Sequence, residues 1–132
     1  MNLNQLIKII ISALEDIKAN DIEILDVTKR ATIFDRMIIA SAVSTRQARA
    51  IANNVNDKVK ESGGTSYGTE GEGSGEWVLV DLGDVLVHIM LPAVRTHYDL
   101  EGLWGELETG VVEQQITSND NSTLESSRLL AH

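Results

Sequence analysis

The chain of 132 residues contains no cysteine. Disulfides, thiolate metal sites and a cysteine nucleophile are thereby excluded. It also lacks an apolar run near the ~20 residues of a bilayer span. At its N-terminus no basic region precedes an apolar stretch and a small-residue cleavage site. These absences lead us to expect a soluble, cytoplasmic protein with no membrane partner. Positive charge is scarce: 11 Lys and Arg stand against 20 Asp and Glu, a formal net charge of -9. That balance argues against direct contact with nucleic acid, whose phosphates are met by Lys and Arg. No Lys or Arg occurs between Lys60 and Arg95, whereas Glu61, Glu70, Glu72, Glu76, Asp81 and Asp84 fall there. Such a stretch is either a solvated surface that aids solubility or one that attracts a basic partner.

The most informative segment runs from Trp77 to Met90, where two apolar runs flank Gly83-Asp84. Gly supplies the positive φ of a two-residue hairpin turn, and that placement fixes the register. Leu82 then faces Val85, Asp81 faces Leu86, Leu79 faces His88 and Trp77 faces Met90. Side chains alternate along a strand. One face carries Val78, Val80, Leu82, Val85, Val87, Ile89 and Leu91, and is expected to lie under helices. The other carries Trp77, Leu79, Asp81, Leu86, His88 and Met90, a mixture expected to stay partly open and meet a partner.

The rest of the chain is read around this hairpin. Leu3, Leu6, Ile7, Ile10, Leu14 and Ile17 recur at helical spacing over 2–19. Residues 22–27 and 37–42 read as strands. Ser44-Thr45-Arg46-Gln47 fits a capping box that opens a second helix, with Ala48, Ile51, Ala52, Val55 and Val59 as its buried stripe and Gly63-Gly64 as its stop. A short strand over 65–69 and a Gly-rich acidic loop over 70–75 lead into the hairpin. Pro92, the one proline, suits the first turn of a short third helix. Leu100, Leu103 and Trp104 are expected to pack back onto the body. This order gives an α/β (α+β) domain over 1–105 with a mixed β-sheet and helices mainly on one face. The polar segment 106–132 reads as a mostly disordered tail, with Arg128-Leu129-Leu130 a frayed end in preference to a weak docking element.

Candidate chemistry is thin. Asp81 and Asp84 invite a two-metal reading, but a spacing of three across a hairpin turn makes them diverge. His88 has no companion ligands at metal spacing and no visible nucleophile. The loop Gly68 to Gly75 lacks the Lys of a phosphate-binding loop and precedes a strand. Ser44 is explained as a cap. Asn121-Ser122-Thr123 is a glycosylation sequon in spelling only. No cofactor and no catalytic residue is expected.

In sequence order, Asp26-Val27, Asp35-Arg36-Met37-Ile38-Ile39-Ala40-Ser41, Ser44-Thr45-Arg46-Gln47, Ile51-Ala52, Glu70-Gly71, the segment Trp77–Met90, Arg95 and Tyr98-Asp99-Leu100-Glu101-Gly102-Leu103-Trp104 form an ordered set. With it the chain resembles the ribosomal silencing factor (Iojap-like) family over roughly 5–105. The resemblance implies a nucleotidyltransferase-like fold lacking catalytic residues. It implies a translational repressor that binds the large ribosomal subunit through ribosomal protein uL14. Such a repressor blocks joining of the small subunit and lowers translation when nutrients are scarce. It implies a bacterial cytoplasm, or an organelle for a processed chain.

On this reading Trp77, Leu79, Leu86 and Met90 are apolar anchors, Asp81 and His88 polar contacts, and Asp84 adds charge at the turn. Arg95 and Tyr98 brace the edge or touch the partner. A metal-dependent nucleotidyltransferase-like enzyme using Asp81, Asp84 and Glu76 is the alternative. A homodimer that closes the open face on itself is the third reading.

Overall fold

The computed structural model describes residues 1–31, 33–104 and 106–107. Helix α1 (Leu3–Asp16) starts at Asn2, whose side chain accepts from Gln5 N at 2.8 Å while Gln5 Oε1 accepts from Asn2 N at 2.9 Å. This reciprocal capping box went unread in the sequence, because Asn at the cap departs from the usual Ser or Thr. Strands β1 (Asn20–Asp26) and β2 (Arg36–Ser41) pair antiparallel. Helix α2 (Thr45–Glu61) carries the chain back across the sheet. Strand β3 (Gly68–Glu70) and the hairpin strands β4 (Trp77–Asp81) and β5 (Val85–Met90) follow. Helices α3 (Pro92–Tyr98) and α4 (Leu100–Trp104) and strand β6 (Glu106–Leu107) complete the described chain.

The sheet order is β3-β4-β5-β2-β1-β6. Among the described strands only β2 and β5 pair in parallel. Parallel neighbours need a long crossover, and α2 provides it. The hairpin register is the expected one: Trp77 opposes Met90, Leu79 opposes His88 and Asp81 opposes Leu86. Leu82 N donates to Val85 O at 3.0 Å, closing the turn. Gly83 has φ +88° and Asp84 does not share a positive φ, the pattern of a type II′ turn.

Helices α1 and α2 lie on one face. Leu6, Ile10, Ala13 and Leu14 of α1, with Ala48, Ile51, Ala52, Val55 and Val59 of α2, cover Ile38, Ala40, Val78, Val80, Leu82, Val85, Val87 and Ile89. Ser44 Oγ accepts from Gln47 N at 3.0 Å, as expected of the cap. The Gln47 side chain, however, accepts from Val43 N rather than from Ser44 N, and donates to the carbonyls of Ile17 and Lys18. It therefore joins the end of α1 to the start of α2.

The expectation that the opposite face stays partly open is corrected by the structure. Leu79, Leu86 and Met90 belong to a second core with Leu25, Val27, Phe34, Met37, Ile39, Leu100 and Leu103. Leu100 and Leu103 of α4 and Phe34, from the connection between β1 and β2, form its outer layer. Asp99 makes this possible: its left-handed backbone (φ 48°, ψ 55°) ends α3 and redirects the chain into α4. Its backbone oxygen then accepts from Gly102 N and Leu103 N. Strand β6 pairs with β1, Leu107 opposite Leu25, so the sheet extends past the expected boundary at 105. The expectations of a mostly disordered tail and of a frayed end at Arg128-Leu129-Leu130 fall outside the described residues.

Candidate functional site

The nine residues singled out in the sequence do not share one surface. Leu79, Leu86, His88 and Met90 are 1%, 2%, 0% and 0% exposed. As contact residues on an open face they are corrected: Leu79, Leu86 and Met90 pack in one core with Phe34, Leu100 and Leu103, and His88 is buried beside Trp77.

Trp77, His88 and Tyr98 come together at the end of the sheet where α3 begins. Trp77 starts β4 and stays half-buried. Its indole Nε1–H donates to His88 Nδ1 at 2.8 Å. Its rings lie 4.8 Å from the Tyr98 ring at an interplanar angle of 49°. Tyr98 is 37% exposed and meets the exposed His97 edge-on at 4.9 Å. Glu76 and Asp99 are exposed beside this aromatic ledge in the chain. Because Nδ1 accepts from the indole, the proton of neutral His88 sits on Nε2, and that buried atom has no hydrogen-bond partner among the described residues. Burial pushes the His88 pKa down from 6.5 to about 3, so the ring is uncharged.

Asp81 and Asp84 lie at the far end of the hairpin, about 13 Å along the strand from Trp77 at ~3.3 Å per residue. Asp81 Oδ1 accepts from Gly83 N at 2.9 Å and so shapes the turn. Asp84 is exposed. Tyr67, 67% exposed, lies against Gly83, where an added Cβ would stand 2.9 Å from its ring. Tyr67 was not singled out in the sequence, since only the pairing of β3 with β4 brings it to the hairpin tip.

Arg95 is bonded as a brace between the helical segment and the sheet. It is 9% exposed. Its guanidinium donates to Glu101 Oε2 at 2.8 Å, to the Asp21 carbonyl at 2.7 Å and to Ser41 Oγ at 2.9 Å. The helical segment that covers the second face is thus tied to β1 and β2. Nearby Glu23 has its carboxyl held above the usual range by burial and by Glu101, with Arg95 pulling the other way.

Arg49 of α2 is a further residue that the sequence did not mark. Its Nε donates to Glu72 O at 2.8 Å and its Nη2 to Gly73 O at 3.3 Å. The Gly-rich loop therefore turns carbonyls inward to a cation, whereas a phosphate cradle presents N–H groups. No sequence signal marks this contact, because the partners are backbone oxygens more than twenty positions away. Among the described residues no cluster of three or more His, Asp or Glu is placed to hold a metal ion. No described helix is long and apolar enough to cross a membrane. The arrangement offers a contact surface: an aromatic ledge on a chain rich in acidic groups.

A family profile described as "ribosomal silencing factor during starvation" matches residues 1–129, and so takes in most of the segment beyond 105. A "ribosomal silencing factor RsfS" of Chromobacterium violaceum is 55% identical over 105 residues, covering 80% of this chain and 86% of its own. A crystal structure of a protein from the same organism superposes with a TM-score of 0.77 at 51% identity, covering 86% of this chain and 92% of that one. A more distant relative, "mitochondrial assembly of ribosomal large subunit protein 1" of Mus musculus, is 32% identical over 101 residues, 74% of this chain and 44% of its own. The chain belongs to the ribosomal silencing factor family. Membership supports a ribosome-associated role in silencing translation, and the family is named for silencing and not for a catalysed reaction.

Proposed function

We propose that this member of the ribosomal silencing factor family represses translation by occupying the large ribosomal subunit. It binds there through ribosomal protein uL14 and sterically blocks the approach of the small subunit, lowering translation under nutrient limitation. The observation that carries the reading is the aromatic ledge of Trp77 and Tyr98, accessible on a chain of net charge -9. Half-exposed Trp and Tyr are the residue types that anchor protein interfaces. The name of the mouse relative refers to the large ribosomal subunit, which favours that subunit over the small one.

In this reading Trp77 and Tyr98 make direct contact, and Asp81 and Asp84 at the hairpin tip add a field that draws in a basic partner. Arg95 acts by holding α3 and α4, and with them Tyr98, against the sheet. Leu79, Leu86, His88 and Met90 support the surface from beneath. A standard interface buries about 800 Å² on each partner. Because the hairpin face is closed, that area has to be assembled from the ledge, α3 and the adjacent acidic loop. Occlusion requires only an affinity that competes with subunit association, and no chemistry.

The test is sedimentation of purified protein with separated ribosomal subunits through sucrose gradients. The expected result is co-migration with the large subunit alone and fewer joined ribosomes. Absence of binding to the large subunit at micromolar protein would refute the reading. Cross-linking to uL14 then tests the named partner.

A further inference from the structure

We propose that His88 is a positioning residue for the contact surface: its Nδ1 fixes the indole of Trp77 so that Trp77 meets a partner as a preset apolar and π surface. The inference rests on the reading of Trp77 as an anchor.

Three observations carry it. First, the indole N–H is already donated inward at 2.8 Å, so what Trp77 offers outward is carbon. With Tyr98 tilted against it at 4.8 Å, the ledge suits an aliphatic side chain or a Lys or Arg cation over a ring face. A cation also suits the acidic charge of the chain. Secondly, an anchor ordered before binding avoids the entropy loss otherwise met at association. The indole is held by its hydrogen bond to His88 and by its ring contact with Tyr98. Thirdly, His88 is a poor core residue on packing grounds alone. It is 0% exposed and its Nε2 lacks a partner among the described residues. A Leu at this position would fill the same core without the orphaned Nε2–H, and would leave the Trp77 indole N–H to find its acceptor in solvent. A local rule broken in this way, beside an exposed aromatic, points to a role in the surface above it.

The test compares His88→Leu and His88→Asn with the parent by three readouts. These are the melting temperature, the indole N–H resonance of Trp77 (assigned with Trp77→Phe) and the affinity for isolated large subunits. His88→Leu removes the acceptor and the orphan together. It is expected to melt no lower than the parent, to shift the indole resonance toward that of a solvent-exposed N–H, and to bind about tenfold more weakly. His88→Asn places an oxygen close to the position of Nδ1 but leaves a smaller, more polar core. It is expected to melt lower, yet to keep the indole resonance and most of the affinity. A purely structural role predicts the reverse order, with affinity following melting temperature, and that result overturns the proposal. Equal binding by Trp77→Ala and the parent also overturns it. A parent protein that does not bind large subunits overturns the function proposed above, and this inference with it. Binding by the parent that is undiminished in His88→Leu overturns this inference alone.

Discussion

Between pH 7 and pH 5 the protein is expected to lose about 2 kcal/mol of folding stability through His88 alone. In the folded chain the ring is buried and its pKa is lowered from 6.5 to about 3. In the unfolded chain it takes up a proton near the ordinary value. Below that value the unfolded state binds one proton more than the folded state, so stability falls as pH falls. The slope approaches 1.36 kcal/mol per pH unit once the unfolded imidazole is charged, and persists until the folded ring also protonates near pH 3. At pH 5 the accumulated loss is about 2 kcal/mol, or about 8 °C in melting temperature for a domain of this size. The assay is urea and thermal unfolding at pH 7, 6 and 5 at constant ionic strength, on the parent and on His88→Leu. Glu23 titrates in the opposite sense, its carboxyl being raised by burial, but it is present in both chains and cancels in the difference. The parent is expected to lose stability on acidification and His88→Leu to hold nearly level. Parallel pH curves for the two proteins would refute the claim that a buried neutral imidazole governs acid stability.

Trp77→Ala is expected to keep the circular dichroism of the fold and to weaken binding to the large subunit by ~30-fold or more, the loss of an anchor worth at least ~2 kcal/mol. Equilibrium sedimentation against labelled subunits measures it. Asp84→Lys lies on the exposed hairpin tip and is expected to slow association several-fold at low salt, with the difference shrinking as ionic strength rises. Stopped-flow association at two salt concentrations reads this directly. Gly71→Ala is expected to destabilise the fold by ~2 kcal/mol or more, because the added Cβ would run into the Trp77 carbonyl oxygen at a residue with φ +87°. Chemical unfolding reports the loss, and a neutral result would mean that the loop re-forms around the methyl group.

Local signals carried a large part of the architecture. Gly83-Asp84 between two apolar runs set the hairpin and its register, because a two-residue turn admits few pairings. The aliphatic side of that hairpin lies under α1 and α2, as the alternation of Val78, Val80, Leu82, Val85, Val87 and Ile89 required. Ser44 and Pro92 marked helix starts through chemistry confined to a single turn. The motifs from Asp26 to Trp104 pointed to the family because their order is specific where each alone is weak, and the family match bears out that recognition.

The other face of the hairpin could not be read in the same way. Leu79, Leu86 and Met90 have the composition of an interface and equally that of a core. What decides between them is where Leu100 and Leu103 return, and that depends on one left-handed residue, Asp99. Leu100 and Leu103 were expected to pack on the body, but no periodicity states which surface they cover. Arg95 likewise gave no sign that it would meet the Asp21 carbonyl and Ser41 Oγ, 74 and 54 positions away. The amino-acid sequence thus determined strand register, helix starts and family, all properties of neighbours in the chain or of motif order. Tertiary structure alone decided that His88 is a buried, neutral acceptor for Trp77, and that Trp77 and Tyr98 form the accessible ledge. Such pairings are chosen by long-range packing, in which burial and hydrogen-bond satisfaction are settled together.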